Sequence, residues 1–322
     1  MSTSSSSARL GLVEISLAGV LWGTGGLAVQ LIRERVPMSV LTISAWRMGL
    51  AALVLLATLL LLRRLPDLRR LLREGPGTAV LVGLCTGAYQ ALYFAAVVAV
   101  GVTVATVVAL GLAPVLLTLA ESVTARRLPG RGRVLVLTAA LGGLVLVSAA
   151  AGLSVTGPHP VLGVALATGS GATYALATGL GRPLAGSTSP LVLATVTATA
   201  GALGLLPLGL LATGPHTTTD PAAVALLAYL GVVTLAVAYG LMYAGLRTVR
   251  GSAAVIATLL EPVTAAVLAA VVLAERLGAL GVVGAALILV AVAGLQSEGH
   301  EDPGDEGDDE GTRMVPEGPT PL

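Results

Sequence analysis

The residues of this chain that could do chemistry are few, and they sit in unusual places. Glu261 lies about ten residues into an apolar run of some 22 and is followed at once by Pro262. Proline removes one backbone donor and disturbs the bond to the carbonyl four residues back, that of Thr258. A carboxylate beside a freed carbonyl can take a substrate ammonium or exchange a proton. The same carboxyl could equally stay protonated, or bond within a helix bundle, and serve packing alone. Arg47 lies about eight residues, or about 12 Å, into another apolar run. It could draw an anionic group such as a substrate carboxylate, or it could snorkel or brace a neighbouring helix.

The chain has nine aromatic residues, and most of them join this polar set: Trp22, Tyr89, Tyr93, Tyr174, Tyr239 and Tyr243, with Gln90 beside Tyr89. Tyr89 and Tyr93, like Tyr239 and Tyr243, are spaced i, i+4 and so share a helix face. Aromatic side chains commonly mark membrane interfaces, but Trp22 and Tyr174 fall in the middle of their runs. They suit a cavity lining and a packed core about equally.

The elements that must position these residues are membrane spans. Of 322 residues, 55% are hydrophobic and 11% charged, against about 25% charged in a soluble domain. Spanning takes about 20 mostly apolar residues. Ten runs qualify: 11–31, 39–62, 77–99, 102–122, 132–152, 161–181, 190–212, 221–245, 252–273 and 277–296. Pro, Gly or Arg separates nearly all of them; between 99 and 102 the only signal is Gly101 and the threonines after it. The expected fold class is therefore an all-α integral membrane protein of ten transmembrane helices.

All 18 basic residues are arginine. With the N-terminus inside, the inner segments hold 14 of them and the outer segments only Arg33, Arg35 and Arg276, so both termini are expected in the cytoplasm. The richness in Ala, Gly, Val, Leu and Arg, without Lys or Asn, suits a high-GC bacterium, and hence a bacterial inner membrane. Nine of the 17 acidic residues lie between Glu298 and Glu317. That tail, 297–322, and the Ser-rich residues 1–10 are expected to lack fixed structure.

An internal repeat runs through the spans. Tyr89, Tyr93 and Gly101 match Tyr239, Tyr243 and Gly251 at an offset of 150 residues, and Pro114 matches Pro262 at 148. Ten spans in two copies give a first repeat at 11–152 and a second at 153–296. Five is odd, so the second copy enters the membrane from the opposite side, and the repeat is inverted. The likeness has one gap: the position beside Pro114 is Ala113, so the carboxylate of Glu261 occurs once. Pro114 and Pro262 are expected to break their helices.

Other functions lack their signatures. There is no P-loop, no His-Glu-x-x-His and no Gly-x-Ser-x-Gly. The single Cys85 and three scattered histidines suggest no metal site. No cofactor is implied, and the arginines of short loops serve topology rather than nucleic acid.

In these residues the chain resembles the drug/metabolite transporter superfamily, of the ten-helix EamA-like type. The marks are Leu21-Trp22-Gly23, Arg47, the two Tyr-x-x-x-Tyr pairs before glycine, Pro114-Val115 and Pro262-Val263, and Glu275-Arg276-Leu277-Gly278. The first copy departs from it with Arg126-Arg127-Leu128, and Thr195, Thr197 and Thr199 stand where the second copy would carry an equivalent of Arg47. What the resemblance implies is a secondary transporter, not an enzyme, exporting amino acids or related small metabolites by alternating access. Its expected partners are a small-molecule substrate and the bilayer, with the chain a monomer or homodimer. A lipid-linked flippase or a membrane enzyme on the same architecture is the alternative. The substrate-binding candidates are Trp22, Arg47, Tyr89, Gln90, Tyr93, Tyr174, Tyr239, Tyr243 and Glu261.

Overall fold

The computed structural model describes residues 2–150, 158–272 and 278–298. All regular elements among them are helices: α1 (Ser2–Arg35), α2 (Val40–Leu61), α3 (Leu65–Glu74), α4 (Gly77–Val100), α5 (Val102–Ala125), α6 (Arg131–Ala150), α7 (Pro160–Ser187) and α8 (Pro190–Leu211). Then come α9 (Pro221–Gly231), a π-helical stretch (Val232–Val237), α10 (Ala238–Gly245), α11 (Gly251–Ala257), α12 (Leu260–Val272) and α13 (Ala279–Glu298). Nine stretches among the described residues are long and apolar enough to cross a membrane. The tenth expected span corresponds to α13, whose apolar part, Ala279–Leu295, is shorter. The boundary between the expected repeats at 152, the Glu275-Arg276-Leu277 triplet and the acidic tail beyond Glu298 lie outside the described residues.

Helix ends follow local chemistry. Gly101 separates α4 from α5 with φ at +97°, a backbone conformation open to glycine. Ser39 caps α2 by accepting from the Thr42 amide at 3.0 Å. Asp220 caps α9 from the Ala223 amide at 2.7 Å, ahead of Pro221.

Three features correct the sequence expectations or add to them. First, α1 begins at Ser2, within residues read as lacking fixed structure. A span already nucleated extends at the small cost of propagation. Second, the arginine-rich connection between the second and third spans holds α3, whose Leu68 and Leu71 pack on the bundle while Arg69, Arg70 and Arg73 face out. Ten residues are too few to register as a span. Third, Pro114 breaks nothing, since α5 runs through it. The helix gives up one hydrogen bond there, and α7 packs closely on the same helix: a Cβ on Gly171 would lie 2.6 Å from the Ala109 carbonyl of α5. Pro262 lies in the first turn of α12, just after an interruption. The helix is interrupted at Thr258 and Leu259, and the Thr258 carbonyl accepts instead from the Glu261 amide at 2.9 Å.

Helices approach one another through glycines. Gly83 and Gly87 of α4 rest on the backbone around Thr197 and Gly201 of α8, and Gly143 of α6 meets Gly284 of α13. Packing pairs the elements in a regular way: α1 lies on α10 and α12, α7 lies on α4 and α5, α2 faces α8, and α6 faces α13. Arg63, Arg126 and Arg247 stand at the ends of α2, α5 and α10, defining an arginine-rich end of the bundle; Pro37, Gly101 and Gly214 mark the opposite end.

The tightest approach near the functional residues is made by Gly23. A Cβ there would lie 2.5 Å from the Glu261 carbonyl oxygen and 2.6 Å from the Thr264 Cβ. Gly23→Ala is expected to push α1 off α12 and to destabilise the protein by roughly 1–3 kcal/mol. Gly49→Ala, at a helical site with nothing within 4 Å, is expected to be neutral or slightly stabilising. Thermal melts of the purified variants in one detergent check both; equal melting temperatures for Gly23→Ala and the parent would refute the close contact.

Candidate functional site

The helix pairing brings residues from six spans to one cavity of about 280 Å³. Trp22 comes from α1, Arg47 from α2, Tyr89, Gln90 and Tyr93 from α4, Tyr174 from α7, Tyr239 from α10 and Glu261 from α12. Eight of the nine residues singled out from sequence therefore line one space. Tyr243 lies one turn further along α10, in a narrow extension of about 20 Å³ shared with Trp22, Tyr89, Tyr174 and Tyr239.

The aromatic rings form two arms. One runs Trp22–Tyr239–Tyr243, with centroids 5.3 and 6.0 Å apart. The other runs Tyr174–Tyr89–Tyr93–Phe94, at 5.0, 6.3 and 5.5 Å. Such offset and tilted contacts suit the ring quadrupoles. Threonines anchor three of the hydroxyls: Tyr93 on Thr106 at 2.7 Å, Tyr174 on Thr258 at 2.9 Å and Tyr243 on Thr197 at 2.9 Å. Tyr89 and Tyr239 carry no such anchor, so their hydroxyls remain open to a ligand.

The charged and amide groups are left available in the same way. Arg47 and Glu261 border the same cavity, yet no hydrogen bond or ion pair joins them. The Arg47 Nε and the Gln90 Oε1 are buried without a partner. Gly231 lets α2 pack tightly beside Arg47: a Cβ at 231 would lie 3.3 Å from the Arg47 carbonyl. Glu261 follows directly on the interruption at Thr258, which is itself clamped by Tyr174. A cavity with one cation and one carboxylate, unpaired with each other and flanked by aromatic faces, can hold a small molecule with charges of both signs. It offers no group of three or more metal-ligating side chains among the described residues.

Towards the opposite end the cavity reaches Val29, Val40, Val97 and Val102. Towards the arginine-rich end it is closed by Tyr243, Met242 and Leu246, which belong to the main buried cluster. Sequence reasoning missed Thr106 and Thr258 as anchors. Each lies in its own apolar run, and only packing reveals the tyrosine opposite. The π-helical stretch before Tyr239 was also missed; no proline marks it, though it carries the lining residue Leu235. Such single-turn bulges gather at functional sites.

These features define a multi-pass helical membrane protein with a polar, aromatic cavity between its spans. The EamA-like transporter family model matches residues 9–149 and 161–296, and the chain belongs to that family. It is similar to the uncharacterized transporter YwfM of Bacillus subtilis (strain 168), at 27% identity over 279 residues, 86% of this chain and 90% of that one. A protein of known crystal structure shares the fold with a TM-score of 0.73 at 21% identity, covering 90% of this chain and 96% of its own.

The anchor of Tyr174 on Thr258 predicts a coupling. Tyr174→Phe and Thr258→Val are each expected to lower stability, and the double variant is expected to fall short of their sum by about 0.5–1.5 kcal/mol. A double-mutant cycle on thermal melts reads this; strict additivity would remove the hydrogen bond from the account.

Proposed function

We propose that this protein is a secondary transporter that exports small zwitterionic metabolites, amino acids or related compounds, across a bacterial inner membrane by alternating access. The observation that carries the proposal is the meeting of Arg47 and Glu261 in one cavity without pairing. A charge at mid-membrane costs about 2.5–3.5 kcal/mol on insertion scales, and direct pairing would relieve part of that. Two opposite charges held apart, with open hydroxyls from Tyr89 and Tyr239 between the aromatic arms, instead suit a ligand that brings both an anionic and a cationic group. The volume of about 280 Å³ lies near the low end for small-molecule sites, about 300–1,000 Å³, which favours a metabolite over a lipid.

In this reading the ten helices form two halves, about 11–152 and 153–296, of opposite orientation. The pairing of α1 with α10 and α12, mirrored by α7 with α4 and α5, supports that arrangement. The arginine-rich end faces the cytoplasm, as the charge bias over short loops requires. The cavity then opens outward, and the tyrosine pair of α10 closes the inner side. The nine residues named from sequence bind substrate: Arg47 takes its carboxylate, Glu261 its ammonium, and the aromatic residues its apolar part. Glu261 also carries the proton that couples transport to a gradient, since the chain holds no ATP-binding domain.

The test is transport into and out of proteoliposomes across a panel of radiolabelled amino acids. Arg47→Gln is expected to lower transport of carboxylate-bearing substrates by at least about tenfold, the loss of one charge-assisted contact. Glu261→Gln is expected to flatten the pH dependence while the protein still folds. Transport by Glu261→Gln with the parent's pH profile would remove this carboxylate from coupling. Binding of none of the panel by the parent would overturn the substrate class.

A further inference from the structure

Glu121 lies near the C-terminal end of α5. The structure gives it three bonds. It pairs with Arg133 of α6, accepts the Ser252 amide at 3.0 Å through Oε1, and accepts the Ser252 hydroxyl at 2.7 Å through Oε2. Arg133 also reaches the Ser252 hydroxyl. The cluster is largely buried, with Glu121 and Arg133 side chains 25% and 16% exposed and Ser252 1%. It ties the end of α5 and the start of α6, both from the first family-matched block, to the start of α11 in the second.

The place of the cluster matters. Gly251 and Ser252 begin the helix that leads into the Thr258 interruption and Glu261. The segment before them is held from two more sides. The Arg182 Nε donates to the Val249 carbonyl at 3.1 Å, and Gly11 of α1 leaves no room for a Cβ beside Thr248. This is the end at which the cavity is closed.

The repeat supplies an internal control. At the offset of 150, Ser252 matches Val102. At 148 to 150, Glu121 matches a position within 269–271 and Arg133 one within 281–283, which read Ala-Ala-Val and Gly-Val-Val. No polar group stands at any of these places. Val102, Val271 and Val283 are exposed, and the cavity extends to Val102. The end that has the polar cluster is closed, and the end that lacks it is open.

We propose that Glu121, Arg133 and Ser252 form a latch that holds the arginine-rich end shut and so sets which side the cavity faces at rest. The proposal rests on the alternating-access reading above. A bond set present in only one of two states biases their populations by its differential free energy, and loosening it moves the balance toward the other state. The released groups would need water, which an opened end would admit.

Site-directed labelling tests this without any substrate. In a Cys85→Ala background, one reporter cysteine replaces Thr178, beside the narrow extension at the closed end. Another replaces Val97, at the open end. A membrane-impermeant maleimide is applied in separate experiments from each face of oriented vesicles. Glu121→Gln and Ser252→Ala are each expected to raise the labelling rate at position 178 by about three- to tenfold, and to lower that at 97. Ser252→Ala removes a single hydroxyl, so the test stays readable if Glu121→Gln does not fold. Unchanged rates at 178 in a folded variant would overturn the latch, as would a rise at both positions, which marks general loosening. Opposed changes at 178 and 97 with no transport of any substrate would keep the latch and overturn the transport reading. Transport with unchanged labelling would do the reverse.

Discussion

In hydrocarbon, a polar group is costly unless it finds a partner inside the protein, and the structure is organised by which groups are paired and which, like the Arg47 Nε and Gln90 Oε1, are left without one. Many threonine and serine hydroxyls find one locally, by bonding to a carbonyl one turn back, as Thr58, Thr86, Thr195, Thr234 and Thr264 do. Such groups are silent: they could sit on almost any face. The informative groups are those that look across to another helix. Tyr174 on Thr258, Tyr243 on Thr197 and Tyr93 on Thr106 fix the aromatic arms, and each joins two elements whose separation is set by small residues. Irregular backbone obeys the same rule. The Thr258 carbonyl at the interruption is taken up by the Glu261 amide, and the π-helical stretch carries the lining residue Leu235.

Close approach is what makes these contacts reachable. Gly23 brings the α1 backbone onto the Glu261 carbonyl, Gly83 and Gly201 bring α4 onto α8, and Gly231 seats α9 on α2 beside Arg47. A larger side chain at any of them would widen the spacing by more than a hydrogen bond can stretch. The glycine of Leu21-Trp22-Gly23 therefore serves its neighbour: it lets Trp22 stand at the cavity wall, 5.3 Å from Tyr239.

The two halves share a plan but not its chemistry. The second carries Glu261 where the first has Ala113, and the first carries Arg47 where the second has threonines. Proline shows the same divergence. Pro262 follows an interruption at Thr258 and Leu259, while Pro114 is absorbed in a continuous helix. The family model matches two stretches of the chain, and the differences in side chains between them decide which holds a charge.

Much of this protein was legible from sequence alone. Apolar runs of spanning length, arginines at their ends and a repeat of Tyr, Gly and Pro are local or periodic properties, and the bilayer admits few structures that satisfy them. The rarity of polar groups in those runs also marked Trp22, Arg47, Gln90, the tyrosines and Glu261 as the residues to watch, because each is costly in lipid unless it faces protein or a cavity. Tertiary structure alone decided what they face. That Arg47 and Glu261 share a space without pairing, that Tyr243 stands apart in a narrow extension, and that Glu121 reaches across to Ser252 all depend on which helix lies beside which. Those distances are set by packing between elements more than 100 residues apart, such as Glu121 and Ser252, and nothing in the local pattern of either carries that information.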